Sequence, residues 1–305
     1  MQTIDLLNPS HLARVVCRPA LPRDTPDVME LTRHIWEGHD YIPYVWAKWL
    51  ADPQGLLAVA EYGGHVVGLA KLTRLSPTDW WMEGLRVHPQ YEGRRIASHL
   101  NDYLLDYWLR YGAGAVRLVT AAFRLKVHHM AERSGFKKVG EFGTYSAPLL
   151  PGPSPSFHPT APDEGSRALD FTVKSASLSL SHGLMDTGWQ WHRPSIEHLA
   201  VAIKAGQAWW WREGQGFLTI GEDTDDDGTP FPYIQLLACP MEMIAEMLVD
   251  CRRLAGSLGY ARVDWTAPLH PDLQPVLVAA GFLQEWEHSA YLFEKFHPKG
   301  VQGLV

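Results

Sequence analysis

Thr120-Ala121 and Gly135-Phe136 recur 146 residues further on as Thr266-Ala267 and Gly281-Phe282, with no gap between the two pairs. Around each pair the hydrophobic pattern reads strand, helix, Gly-Phe, strand. A repeat that keeps both spacing and element order predicts two diverged copies of one α/β unit. The 305 residues are enough for two hydrophobic cores.

The stretch 151–166 reads PGPSPSFHPTAPDEGS, with five prolines in sixteen residues. Such a stretch sustains neither a helix nor a central strand. It sets the expected division: a first domain over 1–150, a linker over 151–166 and a second domain over 167–305. In the first half, strands are expected at Val15–Pro19, Leu56–Tyr62, His65–Leu75, Trp80–Val87 and Val116–Ala121, with two closing strands at Phe136–Phe142 and Thr144–Leu149. Gly63-Gly64 is a two-residue hairpin signal. Helices are expected at Thr25–Trp36, Tyr44–Leu50, Arg94–Tyr111 and Leu125–Arg133. The second half begins with a hairpin of Trp209–Arg212 and Phe217–Gly221. A strand over Tyr233–Ala238 and a helix over Glu242–Leu258 follow.

A hydrophobic share of 46% and a charged share of 20% fit a soluble globular protein. The net charge of −7 argues against nucleic acid, which needs a basic stripe. Three scattered cysteines, Cys17, Cys239 and Cys251, form neither a disulfide framework nor a zinc pair. Asp223-x-Asp225-x-Asp227-Gly228 opens like a calcium loop, but Ile234 stands at its twelfth position, so a hairpin tip and no metal are expected. There is no signal-peptide pattern and no apolar run of membrane-spanning length. A cytoplasmic protein without membrane contact is expected.

The chemistry concentrates in residues 83–100, EGLRVHPQYEGRRIASHL. A strand ends at Val87 and a helix begins near Arg94, with Gly93, Arg94 and Arg95 between them. Unpaired amides at a helix start, the helix dipole and two guanidiniums make an anion site suited to a pyrophosphate. After Cys239-Pro240 the second copy offers Met241-Glu242-Met243, without glycine or basic residue. The acidic Glu242 would repel a pyrophosphate there.

The first of these segments resembles the acetyl-CoA-binding motif of the GNAT superfamily of N-acetyltransferases, [Q/R]-x-x-G-x-[G/A]. Ala97 fits, Glu92 stands where Gln or Arg is usual, and Arg95 stands where Gly is usual. Leu85 to Pro89, Ala131-x-x-x-Gly135-Phe136 and Arg18-Pro19-Ala20 with Asp24 resemble other parts of the family pattern, in order. The resemblance covers about residues 14–149, and the fold it implies is a tandem of GNAT-like α/β domains. Gly38-His39-Asp40-Tyr41-Ile42-Pro43, Trp49-Leu50-x-Asp52-Pro53 and Glu83-Gly84-Leu85-Arg86-Val87 are similar to histidine N-acetyltransferases, a GNAT branch.

The resemblance implies acetyl-CoA as acyl donor and the amine of a small molecule as acceptor. The strand backbone at Leu85, Arg86 and Val87 would meet the pantetheine, and Gly93, Arg94, Arg95, Ile96, Ala97 and Ser98 the pyrophosphate. Glu83 is the expected base; strand alternation would set it on the face of Leu85 and Val87. Many GNATs carry a tyrosine as acid on the last helix, but that position is Ala131 here, so Tyr145, His128 and His129 are the substitutes. Asp40 and Tyr41 would border the acceptor. A peptide or protein acetyltransferase and a non-catalytic acyl-CoA-sensing or structural tandem protein are the alternatives, and the sequence leaves room for a homodimer.

Overall fold

In the computed structural model, which describes residues 14–225 and 228–300, the chain divides after Gly114 rather than at the proline-rich stretch. One unit runs to Gly114 and takes up the chain again at His297; the other is Ala115–Phe296.

The first unit is built from β1 (Val16–Pro19), α1 (Thr25–Thr32), α2 (Ile42–Ala51), β2 (Leu56–Tyr62), β3 (His65–Arg74), β4 (Asp79–Val87) and α3 (Ile96–Tyr111). Its four strands pair antiparallel in chain order. Gly63 and Gly64 both take positive φ, which the tight β2–β3 turn requires. From α1 and α2, Val28, Leu31, Ile42, Trp46 and Trp49 pack on Leu57, Val59, Val66 and Leu69 of the sheet. Helix α3 buries Ile96, Leu100, Leu104 and Trp108, a four-residue spacing that keeps them on one stripe. It presses on the sheet at Gly68, where a Cβ would lie 3.0 Å from Ile96 and 3.1 Å from Leu100.

The second unit opens with β5 (Ala115–Ala121), α4 (Leu125–Arg133), β6 (Lys137–Pro148), β7 (Phe157–Pro159), α5 (Gly165–Val173) and α6 (Ala176–Leu180). A short hairpin of β8 (Met185–Asp186) and β9 (Trp191–His192) leads to α7 (Ile196–Lys204), β10 (Ala208–Trp211), β11 (Gly216–Thr224) and β12 (Pro230–Ala238). It ends with α8 (Ile244–Ser257), β13 (Arg262–Pro268), α9 (Gln274–Ala279), β14 (Leu283–Gln284) and β15 (Ala290–Phe296). The strand order is β5-β15-β6-β13-β12-β11-β10-β7, with β14 beside β6.

Three expectations are corrected. The stretch 151–166 is not a bare linker: β7 pairs with β10 as the last strand of this order, where a proline costs no central ladder bond. The two closing strands expected on either side of Gly143 are one continuous strand, β6. Gly143 answers to crowding rather than to a turn, since a Cβ there would lie 3.0 Å from the Tyr145 ring and 3.2 Å from Leu269. Helix α1 stops at Thr32, short of the predicted Trp36.

The repeat is present and its ends are exchanged. The first half of β6 pairs with β15, from Lys137↔Glu294 to Phe142↔Ala290. Its second half lies between β13 and β14, pairing Pro148↔Arg262 and Ser146↔Leu283. On the 146-residue shift, the second half of β6 corresponds to β15. Each copy therefore gives its last strand to the other, and β15 sits between β5 and β6. Arg117 of β5 and Glu294 of β15, opposite one another in register, form an ion pair at 2.7 Å with the arginine fully buried.

Candidate active site

Strand β4 carries a β-bulge. Lys71 pairs with Glu83 and Leu69 with Arg86, so Gly84 and Leu85 together face Ala70. Gly84 has φ +65, and a Cβ on it would lie 2.6 Å from the Trp49 ring and 3.3 Å from Ile42. Only glycine lets the strand bulge against α2 here. The extra residue changes which side chains share a face: Glu83 lies on the face of Lys71 and Arg86, not on that of Leu85 and Val87 as simple alternation predicts.

On that face the three histidine-acetyltransferase-like segments meet. Asp40 accepts two hydrogen bonds from Arg86, Nε at 2.9 Å and a terminal nitrogen at 3.1 Å, with both residues buried. The Arg86 guanidinium also lies over Trp36 at 4.2 Å and Tyr41 at 5.3 Å. Trp36 reaches it from a left-handed turn, with φ +46, +57 and +90 at Trp36, Glu37 and Gly38. Burial pushes the Tyr41 hydroxyl up to about 12 against the opposing pull of Arg86, and the Gly84 amide bonds to its oxygen. Asp52 pairs with the buried Lys71. The Thr73 hydroxyl donates to Glu83 Oε1 at 2.5 Å.

At the other end of β4 lies the turn expected to hold an anion. Gly93 has φ +77 and Arg95 φ +61, and α3 starts at Ile96. Arg95 thus adopts a left-handed conformation that favours glycine, at the position where the motif this segment resembles usually has glycine. The first intrahelical bond is His99 N–H to Arg95, so the amides of Ile96 to Ser98 lack an intrahelical acceptor. Arg94 donates to the Tyr62 hydroxyl at 3.0 Å and lies over Tyr62 and Tyr91. Gly93, Arg94 and Arg95 are exposed. An anionic pyrophosphate fits this turn in charge and in open backbone donors.

The sequence profile of the acetyltransferase (GNAT) family matches residues 25–136, from α1 to the Gly-Phe after α4. This part of the chain carries the sequence pattern of the GNAT acetyltransferase family. A histidine N-acetyltransferase of Oreochromis niloticus is 30% identical over 82 residues, 27% of this chain and 24% of that protein. "Probable N-acetyltransferase 16" of Homo sapiens is 25% identical over 209 residues, 62% of this chain and 57% of the human protein. The chain thus spans under two thirds of the length of either relative. In fold, 92% of the chain superposes on 95% of a GCN5-related N-acetyltransferase from Sphaerobacter thermophilus, with TM-score 0.63 and 14% identity. A tandem GNAT protein from the clavulanic acid biosynthesis pathway covers 93% of the chain, and 98% of its own length, with TM-score 0.57 and 13% identity.

The second copy of the repeat keeps the bulge without the charged side chains of the first. In β12 the register slips at Gln235, three residues before the strand end, as β4 slips at Gly84 three residues before Val87. Ile234 then stands where the first copy has Glu83. Strands β12 and β13 pair at Tyr233↔Asp264 and diverge. Beyond that point the chain fills its own cleft: Ser177 Oγ donates to Leu237 O at 2.9 Å and accepts from the Cys239 amide at 2.9 Å, and Ser175 Oγ donates to Cys239 O at 3.1 Å.

The expected acids also lie in the second unit, each within its own contacts. Tyr145 is buried, and its hydroxyl donates to Gln274 Oε1 at 2.6 Å. His128 shares a hydrogen bond with Ala121 O at 3.1 Å and stacks on Tyr291 at 5.0 Å. His129 is exposed. Asp225 of the calcium-like stretch is paired with Arg262, and Asp227 lies outside the described residues. No group of metal-binding side chains occurs among the described residues. Sequence reasoning missed Thr73, which bonds Glu83, and Lys71, which lies opposite it in strand register; neither carries a motif.

Proposed function

We propose that the chain is an acetyl-CoA-dependent N-acetyltransferase for the amine of a small molecule, with free histidine the first acceptor to test. The observation that carries this reading is the convergence of Asp40, Trp49, Asp52 and Glu83 around the β4 bulge, in a GNAT domain whose anion turn keeps its left-handed geometry. The amides from Gly93 to Ser98, with Arg94 and Arg95, would hold the pyrophosphate. The Leu85 amide, beside the bulge, would polarise the thioester carbonyl, and the backbone of Arg86 and Val87 would line the pantetheine.

Glu83 takes the proton of the attacking amine. An α-amino group has a pKa of about 7.7–8.0, so its deprotonation near neutral pH costs only about 1 kcal/mol. A partly buried carboxylate suffices for that task. Asp40 fixes Arg86, and through it Trp36 and Tyr41, as the wall of the acceptor site. For the leaving thiolate, Tyr145→Phe and His128→Asn are informative, because each polar group already has an internal partner. If kcat holds above half in both, neither is the acid. No described helix is long and apolar enough to cross a membrane, and we place the activity in the cytoplasm.

A screen of CoA release over free amino acids tests the proposal. Glu83→Gln is expected to lower kcat by about 10²–10⁴. If no acceptor releases CoA and calorimetry finds no acetyl-CoA binding at millimolar concentration, the reading fails.

A further inference from the structure

Arg94 is fixed by groups that leave its charge intact. Its guanidinium donates to the Tyr62 hydroxyl at 3.0 Å and lies 5.2 Å from the Tyr62 ring and 5.6 Å from the Tyr91 ring. The two rings meet edge to face at 5.7 Å. Tyr62 ends β2, and Tyr91 ends the short turn after β4. That turn is itself capped: His88 Nδ1 accepts from the Gln90 amide at 3.3 Å, and the His88 ring packs edge-on against Tyr91 at 5.5 Å. No carboxylate of the described residues pairs with Arg94. The second copy differs at the matching place. There Arg212, in the β10–β11 turn, lies over Trp211 at 4.3 Å and pairs with Glu246 and Asp250 of α8. One copy cancels the charge beside its helix start; the other mounts it on two neutral rings.

A mounted guanidinium is an anion receptor. Holding the side chain in place removes part of the ordering cost that a flexible arginine meets on binding. The single bond to Tyr62 leaves the rest of the guanidinium fork to donate. The Tyr62 hydroxyl accepts from Arg94, so its own hydrogen is turned outward as a further donor. This receptor is distinct from the helix amides. The amides of Ile96 to Ser98 open at the start of α3, whereas the hydroxyl ties Arg94 back to the β2–β3 turn. Neighbouring receptors of this kind fit a ligand with separate anionic groups. Coenzyme A is such a ligand: it carries a pyrophosphate and, on its ribose, a 3′-phosphate monoester.

We propose that Arg94 receives the 3′-phosphate of coenzyme A, and that Tyr62 and Tyr91 are the positioning residues that hold it for that task. The inference rests on the reading of this domain as one that binds acetyl-CoA, and it gives the cofactor a second anchor. A phosphate monoester is close to a dianion at neutral pH. Its terminal oxygens match the guanidinium fork.

Calorimetry of the full chain with CoA and with 3′-dephospho-CoA tests this without reference to turnover. The ratio of the two affinities is the readout, because damage to the fold weakens both ligands alike. The wild type is expected to favour CoA by about ten- to hundredfold. Arg94→Gln should bring the ratio to about one and keep dephospho-CoA within about threefold of wild type. Tyr62→Phe, which keeps the ring and deletes the hydroxyl, should cut the ratio by about three- to tenfold. Tyr91→Leu, which removes a ring face, should cut it by about two- to fivefold. An Arg94→Gln chain that weakens both ligands by one factor overturns the inference, since Arg94 then serves the pyrophosphate. An unchanged ratio in both tyrosine substitutions removes the positioning role. Equal affinity of the wild type for the two ligands overturns the inference and leaves the acetyl-CoA reading standing. Binding of neither ligand at millimolar concentration removes both.

Discussion

Arg95 shows how a motif position outlives its usual residue. Left-handed backbone costs an L-residue about 1–2 kcal/mol, and glycine returns about 0.5–1 kcal/mol of that as unfolded-state entropy. Arg95→Gly is therefore expected to stabilise the protein by about 0.5–1 kcal/mol in thermal denaturation, while acetyl-CoA affinity falls less than about tenfold because the amides remain. Asp186 gives a pH prediction. Burial raises its pKa to about 7, although the amides of Gln190, Trp189 and Gly188 act to lower it. The folded-state value lies above the unfolded one near 3.9, so the native state holds this proton more tightly. That contribution is complete below about pH 4 and is lost as pH rises to about 7. Relative to Asp186→Asn, the wild type should lose on the order of 4 kcal/mol of stability across this window, read by urea denaturation at each pH. A parallel pair of curves would show that Asp186 does not titrate there. At this scale the sequence named Glu83, Asp40 and the arginine pair. It misplaced the face of Glu83, because one inserted residue inverts alternation and Gly84 gives no sign of whether it marks a bulge or a turn.

Among the elements, the strand-turn-helix of β4 and α3 was legible because its punctuation is local: a strand end, Gly93 and an apolar stripe at helical spacing. The exchange of last strands was not. It depends on pairings such as Arg117↔Glu294, 177 residues apart in the chain, and no local pattern encodes them. Gly143 misled for a related reason: a glycine that admits a neighbouring ring looks in sequence like one that makes a turn. Removing one partner of a buried ion pair typically costs about 3–5 kcal/mol, so Glu294→Ala should lower the stability of the second unit by that order in chemical denaturation. A change under about 1 kcal/mol would show that β15 is seated by its apolar face alone. The left-handed triplet of Trp36, Glu37 and Gly38 has a twin at Arg212, Glu213 and Gly214. The second forms the β10–β11 turn, whereas the first carries Trp36 onto Arg86, so the same local geometry serves two unrelated tasks.

The tandem copy was legible at the level of the whole chain because two dipeptide pairs and the element order survived divergence. Its boundary was not, because the proline-rich stretch looks unstructured until β10 is there to pair with it. Ser175 and Ser177 bond the end of β12, and no glycine-arginine turn follows it. One equivalent of acetyl-CoA per chain is therefore expected in calorimetry; two would show that the second cleft opens. The exchanged strands also bear on how the protein is made. Strand β5 leaves the ribosome 169 residues before its neighbour β15 begins, a wait of roughly 10–30 s at about 5–20 residues per second. During translation the nascent sheet presents an open edge until β15 has been made, and an open edge invites pairing with the wrong chain. Ribosomes stalled before residue 290 should therefore carry a protease-sensitive β5–α4–β6 segment, however completely the preceding helices have formed.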